Sequence, residues 1–215
     1  MVGGSLANQR LYLKLIIPSQ QHKLMTKTAN RNITKIQILG ALVALAWGVT
    51  TLDIYFYHHE LLQFGILPRD PIGLRGILFA PFLHSNYTHL IVDTIPFVAL
   101  GWLIMEQAIA NFTIVSLICL VLGGSSAWIV GPAADSSFVY FIGAAPLING
   151  YISYLFALYY FDRRLWSSAF EALAIGCAYW IVRTNLPAIE LAIWPGSILC
   201  GCVGGIWAAR LVYRK

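Results

Sequence analysis

The chain has 215 residues, 59% of them hydrophobic and 11% charged, with mean hydropathy +0.71 and formal net charge +5. A soluble domain carries about 25% charged residues. The composition therefore excludes an ordinary soluble enzyme and marks an integral membrane protein of single-domain length. Membrane topology accounts for the positive charge, so no nucleic-acid partner is expected.

The first 35 residues hold Arg10, Lys14, Lys23, Lys27, Arg31 and Lys35 and no acid. Their one apolar run, Leu11–Ile17, is short and broken by Lys14, so it does not read as a signal peptide. The expectation is a basic cytoplasmic tail over 1–35, near anionic lipid, ahead of a membrane domain over 36–215.

A helix needs about 20 apolar residues to span a bilayer. Six runs approach this: about Ile36–Tyr57, His89–Met105, Phe112–Val130, Ala144–Phe161, Leu165–Val182 and Ile193–Val212. Between the first two, residues 58–88 form a connection too long to be plain. Its middle, Gly73–Leu83, is apolar but too short to span, which predicts a re-entrant or interfacial element. Cys119, Cys177, Cys200 and Cys202 all fall in apolar runs and form no disulfide or zinc pattern.

With the N-terminus inside, one face collects the basic tail, Arg163, Arg164, Arg210, Arg214 and Lys215. The other is left with Arg69, Arg75 and Arg183. The positive-inside rule then puts both termini in the cytoplasm, and loops 58–88 and 131–143 outside.

Ionisable groups inside a membrane segment are functional candidates by default. Here they are His84 and His89 at the start of the second helix, Asp93 one turn further in, and Glu171 in the fifth. His89 and Asp93 are four apart and share a helix face. They either line a wet cavity together or stand solvated at the outer interface. His84 reads as a structural hydrogen-bonding residue, and Glu171 has no in-register partner. Two histidines and a carboxylate are metal-ligand types, but this spacing matches no metal motif, so neither metal nor cofactor is expected. Gly201, Gly205 and Ala209, four apart, let a neighbouring helix approach closely.

Three segments, FAPFLHSNYTHL, GAAPLINGYISYLFALYYFDRR and WPGSILCGCVGGIWAAR, occur in the order and on the helices found in the rhomboid family of intramembrane serine proteases. The chain resembles that family over about 36–212. The resemblance implies an all-α membrane protein. Its six-helix bundle would carry a membrane-embedded loop between helices 1 and 2, and a fourth helix starting deep in a water-filled cavity.

The family's H-x-x-x-x-H-x-x-x-N places its histidines on His84 and His89, but its oxyanion-binding Asn falls on Asp93. Its G-x-S-G matches Gly143 and Ala144, while the nucleophilic Ser falls on Ala145 and the last Gly on Pro146. Its catalytic His in helix 6 falls on Ile198 counting back from Gly201, or on Ser197 counting from Trp194. Acyl transfer needs a nucleophile, a base and oxyanion donors. Ala145 supplies only a backbone N–H. Asp93 would donate only if protonated, which burial favours. The five histidines (His22, His58, His59, His84, His89) all precede helix 3, and the lysines lie in the tail or at Lys215, so no substitute base is evident. Four departures together read as divergence rather than a single inactivating change. Pro146 fits this, since proline suits the first turn of a helix.

The resemblance thus implies a proteolytically inactive, multi-pass rhomboid-like protein, residing in a bacterial plasma membrane. Its partners would be the lipid bilayer and transmembrane segments of client proteins. Its vestigial cavity would be lined by His84, His89, Asp93, Gly143, Ala144, Ala145 and Pro146. Two alternatives stand. One is an active endopeptidase using a relocated hydroxyl such as Ser137, Tyr140 or Ser197 near His89. The other is a small-solute or ion pathway using Asp93 and Glu171.

Overall fold

A computed structural model describes residues 4–131, 140–186 and 195–213, with the side chains of 4–22, 24 and 195–197 outside the description. Six long helices carry the described chain: α1 Gly4–Leu52, α2 Tyr87–Gln107, α3 Ile109–Val130, α4 Ala145–Phe161, α5 Trp166–Asn185 and α6 Pro195–Tyr213. Among the described residues there is no strand, only an isolated bridge between Ile66 and Phe141. The chain divides into a unit of residues 1–40 and a unit of residues 41–215.

The first helix differs from its sequence reading. It begins at Gly4 rather than near Ile36. Between Ser5 and Leu39 there is no glycine and one proline, Pro18. Helix propensity, which Leu, Lys, Gln and Ala all supply, continues the helix through a segment too polar to read as a span. At its other end α1 unwinds into a π-helical turn, Asp53–Tyr57. The buried Asp53 carboxylate accepts the Leu61 N–H at 2.8 Å.

In the second unit, α4 is the central helix. Leu147, Ile148, Asn149, Gly150, Tyr151, Tyr154, Leu155 and Leu158 on it are all buried. α6 lies against α4 with almost no separation. A Cβ added to Gly201 would overlap the Pro146 carbonyl oxygen, and one at Gly205 would overlap that of Gly150. Ala209, next in the small-residue stripe, is fully buried. Outward faces are apolar: Ile95, Leu117, Phe156, Phe170, Ile181 and Val203 are all exposed. An exposed apolar surface of this extent belongs in lipid. Among the described residues, four helices are long and apolar enough to cross a membrane, and Pro71–Phe82 and Ile198–Tyr213 are shorter apolar helices.

The connection between α1 and α2 is built of short helical turns, Pro71–Arg75, Gly76–Phe79 and Ala80–Phe82. It is tied to α3 where Trp128 Nε1 donates to the Asp70 carbonyl at 2.7 Å and Arg69 N–H to the Trp128 carbonyl at 2.9 Å. Ile72, Leu74, Leu78 and Phe79 on it are exposed. This is the predicted apolar, non-spanning element. It also holds the chain leading into α4: Ile66 and Phe141 exchange backbone hydrogen bonds, and Gly143 N–H donates to the Ala80 carbonyl at 2.8 Å.

Candidate functional site

The starts of α2 and α4 and the end of α5 meet at one end of the bundle. Asn86 caps α2, its side chain accepting from His89 N–H at 2.8 Å. This fixes the first turn and turns His89 inward. The His84 and His89 rings meet edge to face, 5.0 Å between centroids. Asp93, one turn on, is 1% exposed, so the solvated-interface alternative for it falls away. Its Oδ2 lies 3.5 Å from His89 Nε2 and 3.6 Å from His84 Nε2.

Three groups donate to the Asp93 carboxylate. Ala144 N–H reaches Oδ2 at 2.8 Å, Tyr179 O–H reaches Oδ1 at 3.1 Å, and Arg183 Nη1 reaches Oδ1 at 2.8 Å. Ala144 is the N-cap residue of α4 and makes no side-chain cap. A carboxylate from another helix fills that role, where a negative charge also meets the positive end of the helix dipole. Asp93 is therefore an acceptor from the turn. The donor role that a protonated Asp93 would have had at this turn is not the one it takes.

Arg183 is the residue that sequence reasoning missed. The charge count placed it on an outer loop. It lies instead in the last turn of α5, 2% exposed, and pairs with Asp93. Its Nη2 lies 3.4 Å from His89 Nε2. The available signal was that intramembrane charges pair with one another: one acid near the start of α2 and one arginine at the end of an apolar α5, with Tyr179 four residues earlier on the same face.

Gly143 adopts φ +93°, and a Cβ there would come within 2.7 Å of His89 Nε2. Both the backbone angle and the space demand glycine. Ala145 is buried, and Pro146 takes the second position of α4, as expected of a first-turn proline. Asn149 donates to the Ala145 carbonyl at 2.8 Å and accepts from Trp180 Nε1 at 3.1 Å, tying the start of α4 to α5. Ile198 is half-buried on α6, one turn before the Gly201 contact with Pro146. The side chain of Ser197, and all of Ser137, lie outside the described residues. Tyr140 is half-buried, and Glu171 is exposed on α5.

His84, His89 and Asp93 present donor atoms within 4.8 Å of one another. A divalent ion there would enter beside a guanidinium that already balances the only carboxylate of the trio. The arrangement favours a charge-paired polar cluster over a metal centre.

Residues 73–215 match the Rhomboid domain. The chain belongs to the rhomboid family. Similar proteins include uncharacterized proteins of Mycobacterium bovis and of Mycobacterium tuberculosis strain H37Rv, each 32% identical over 152 residues. Those alignments cover 69% of this chain and 63% of each relative, so the chain spans less than two thirds of their length. An uncharacterized protein of Mycobacterium leprae is 34% identical over 174 residues, 79% of this chain and 68% of its own length. Within the rhomboid bundle, the segments carrying His84, His89, Asp93, Gly143 and Ala145 converge at one end. The cluster they form is completed by Arg183 and Tyr179 from α5.

Proposed function

We propose that this chain is a rhomboid-family pseudoprotease: it retains the membrane bundle, does not hydrolyse peptide bonds, and binds transmembrane segments of client membrane proteins. The observation that carries the reading is Asp93. A carboxylate takes the N–H at the turn into α4 and is held there by Arg183. A developing oxyanion at the same turn would meet a negative charge instead of a donor. Ala145 offers a methyl group at the family's nucleophile position, and Ile198 or Ser197 stands at the position of the base. The same reading assigns residues 1–35 to a basic cytoplasmic segment and places both termini in the cytoplasm of a bacterial plasma membrane, in keeping with the bacterial relatives.

The test uses purified protein in lipid. It is expected to cleave no model transmembrane substrate and to show no labelling by a fluorophosphonate serine probe above a heat-denatured control. Specific labelling, or cleavage that is lost on His89→Ala, would overturn the reading. Client binding is tested separately by photo-crosslinking from probe residues at Ile95 and Ile181, which are exposed on α2 and α5; adducts are expected with membrane proteins carrying transmembrane helices. The relocated-hydroxyl alternative has less support. The tyrosine hydroxyl that reaches the cluster, that of Tyr179, already donates to Asp93. The ion-pathway alternative rested on Asp93 and Glu171, of which the first is ion-paired and the second faces outward.

A further inference from the structure

Beside the polar cluster lies a cavity of about 160 Å³, bounded by α1, the turns around residues 78–82, α2, α3 and α4. For scale, an engineered apolar cavity of about 150 Å³ stays dry and binds benzene. The wall runs along the bundle. Its lining extends from Leu90 to Phe97 on α2 and from Ala144 to Tyr151 on α4, each about 10 Å at the helical rise per residue.

The wall offers little to a polar occupant. Thr94 donates to the Leu90 carbonyl at 2.7 Å and accepts from Trp47 Nε1 at 3.2 Å. The Ser116 and Tyr151 hydroxyls bond each other at 2.6 Å. Asp93 has its three donors. Both His84 ring nitrogens are buried, with Nε2 3.6 Å from the Asp93 carboxylate. A water in the cavity would lack the two to four polar partners that hold a buried water. The open side is apolar as well. Leu78 and Leu117, which line the cavity, are each 56% exposed and continue the outward apolar surface that belongs in lipid.

We propose that this cavity holds the end of a phospholipid acyl chain, which enters beside Leu78 and Leu117. The mouth is continuous with the lipid-facing surface, so acyl chains are the medium that meets it. The volume takes a short hydrocarbon segment, and the length of the wall along the helices suits a chain. A transmembrane helix, about 10–12 Å across, is too wide to enter. The phosphate headgroup stays outside, because the charged side chain on the wall is the Asp93 carboxylate. Inside, the chain end meets Leu90, Ala144 and Leu147 and closes this side of the Asp93 cluster to water. The site is independent of the pseudoprotease reading, since it involves neither hydrolysis nor a client helix.

The experiment uses the full chain in phosphatidylcholine nanodiscs doped with a phosphatidylcholine that carries a diazirine near the methyl end of one acyl chain. After irradiation, adducts are mapped by peptide mass spectrometry. They are expected on Phe112 and Tyr151, which line the cavity and are buried, as well as on Phe156, exposed on α4. A diazirine next to the glycerol ester should label neither Phe112 nor Tyr151. Ala46→Phe should fill the cavity, with loss of the Phe112 and Tyr151 adducts and retention of those on Phe156. Val43→Phe, at a half-buried lining position, serves the same purpose if the first variant does not fold. Adducts confined to exposed residues, equal labelling of the two buried residues from the ester-side diazirine, or buried adducts that survive in a folded cavity-filling variant would each overturn the proposal.

Discussion

Asp93 and Arg183 stand where their separate values cannot be read from either alone. Removing one partner of a buried ion pair strands the other charge and costs about 3–5 kcal/mol, whereas replacing both by apolar groups is often neutral. Arg183→Met and Asp93→Leu are each expected to lower thermal stability in detergent by that order. The double variant should recover most of the loss, giving a coupling above about 1 kcal/mol in a double-mutant cycle. Additive losses would mean the pair does not act as a pair. Gly143 is constrained differently. With φ +93°, and His89 Nε2 2.7 Å and Asp93 Oδ2 3.1 Å from where a Cβ would stand, Gly143→Ala is expected to destabilise by about 1–3 kcal/mol while removing no charge. Ala145→Ser tests the chemistry at the same turn. A hydroxyl restored there gains no base, because Ile198 and Ser197 carry no imidazole, and the neighbouring Ala144 N–H is already taken by the Asp93 carboxylate. Fluorophosphonate labelling of Ala145→Ser is therefore expected to stay at background; strong labelling would show that another group activates it.

At the scale of elements, the contact between α4 and α6 decides whether the bundle forms. Gly201 and Gly205 place the α6 backbone against the Pro146 and Gly150 carbonyls, leaving no room for a side chain. Gly205→Val is expected to prevent stable folding, seen as loss of a monodisperse peak in size-exclusion chromatography. Leu199→Ala, exposed on the same helix, should leave that peak unchanged. This stripe was legible in the sequence because spacing four on a helix is a purely local signal. The six apolar runs were legible for the same reason, and five of the six helices have ends within a few residues of the runs. The start of α1 was not, because a polar helix has no hydrophobic signature and is carried by propensity. The cluster was half legible. His84, His89, Asp93, Gly143 and Ala145 follow from two local motifs and the resemblance that links them. Arg183 does not, since its partner is 90 residues away and charge counting treats every terminal arginine as a loop residue.

For the whole molecule, the position of Arg183 changes the topology argument without reversing it. Once Arg183 is counted as a buried partner of Asp93, the basic residues left between α1 and α2 are Arg69 and Arg75. Both are held close to the protein: Arg69 Nη2 donates to the Gly131 carbonyl at 3.2 Å, and Arg75 donates to the Gln63 carbonyl at 3.0 Å and lies 4.3 Å over the Phe64 ring. The opposite side keeps Arg163, Arg164 and Arg210, so the bias toward that side grows. The proposed orientation, with both termini in the cytoplasm, is testable in intact cells on a background with Cys119, Cys177, Cys200 and Cys202 replaced. A cysteine introduced as Arg164→Cys, in the turn after α4, should react with a membrane-impermeant maleimide only after the membrane is broken. Glu60→Cys, exposed in the connection after α1, should react in intact cells. The reverse pattern would place the Asp93 cluster at the cytoplasmic end of the bundle. Both sites labelling in intact cells would mean mixed insertion, which so one-sided a charge distribution does not predict.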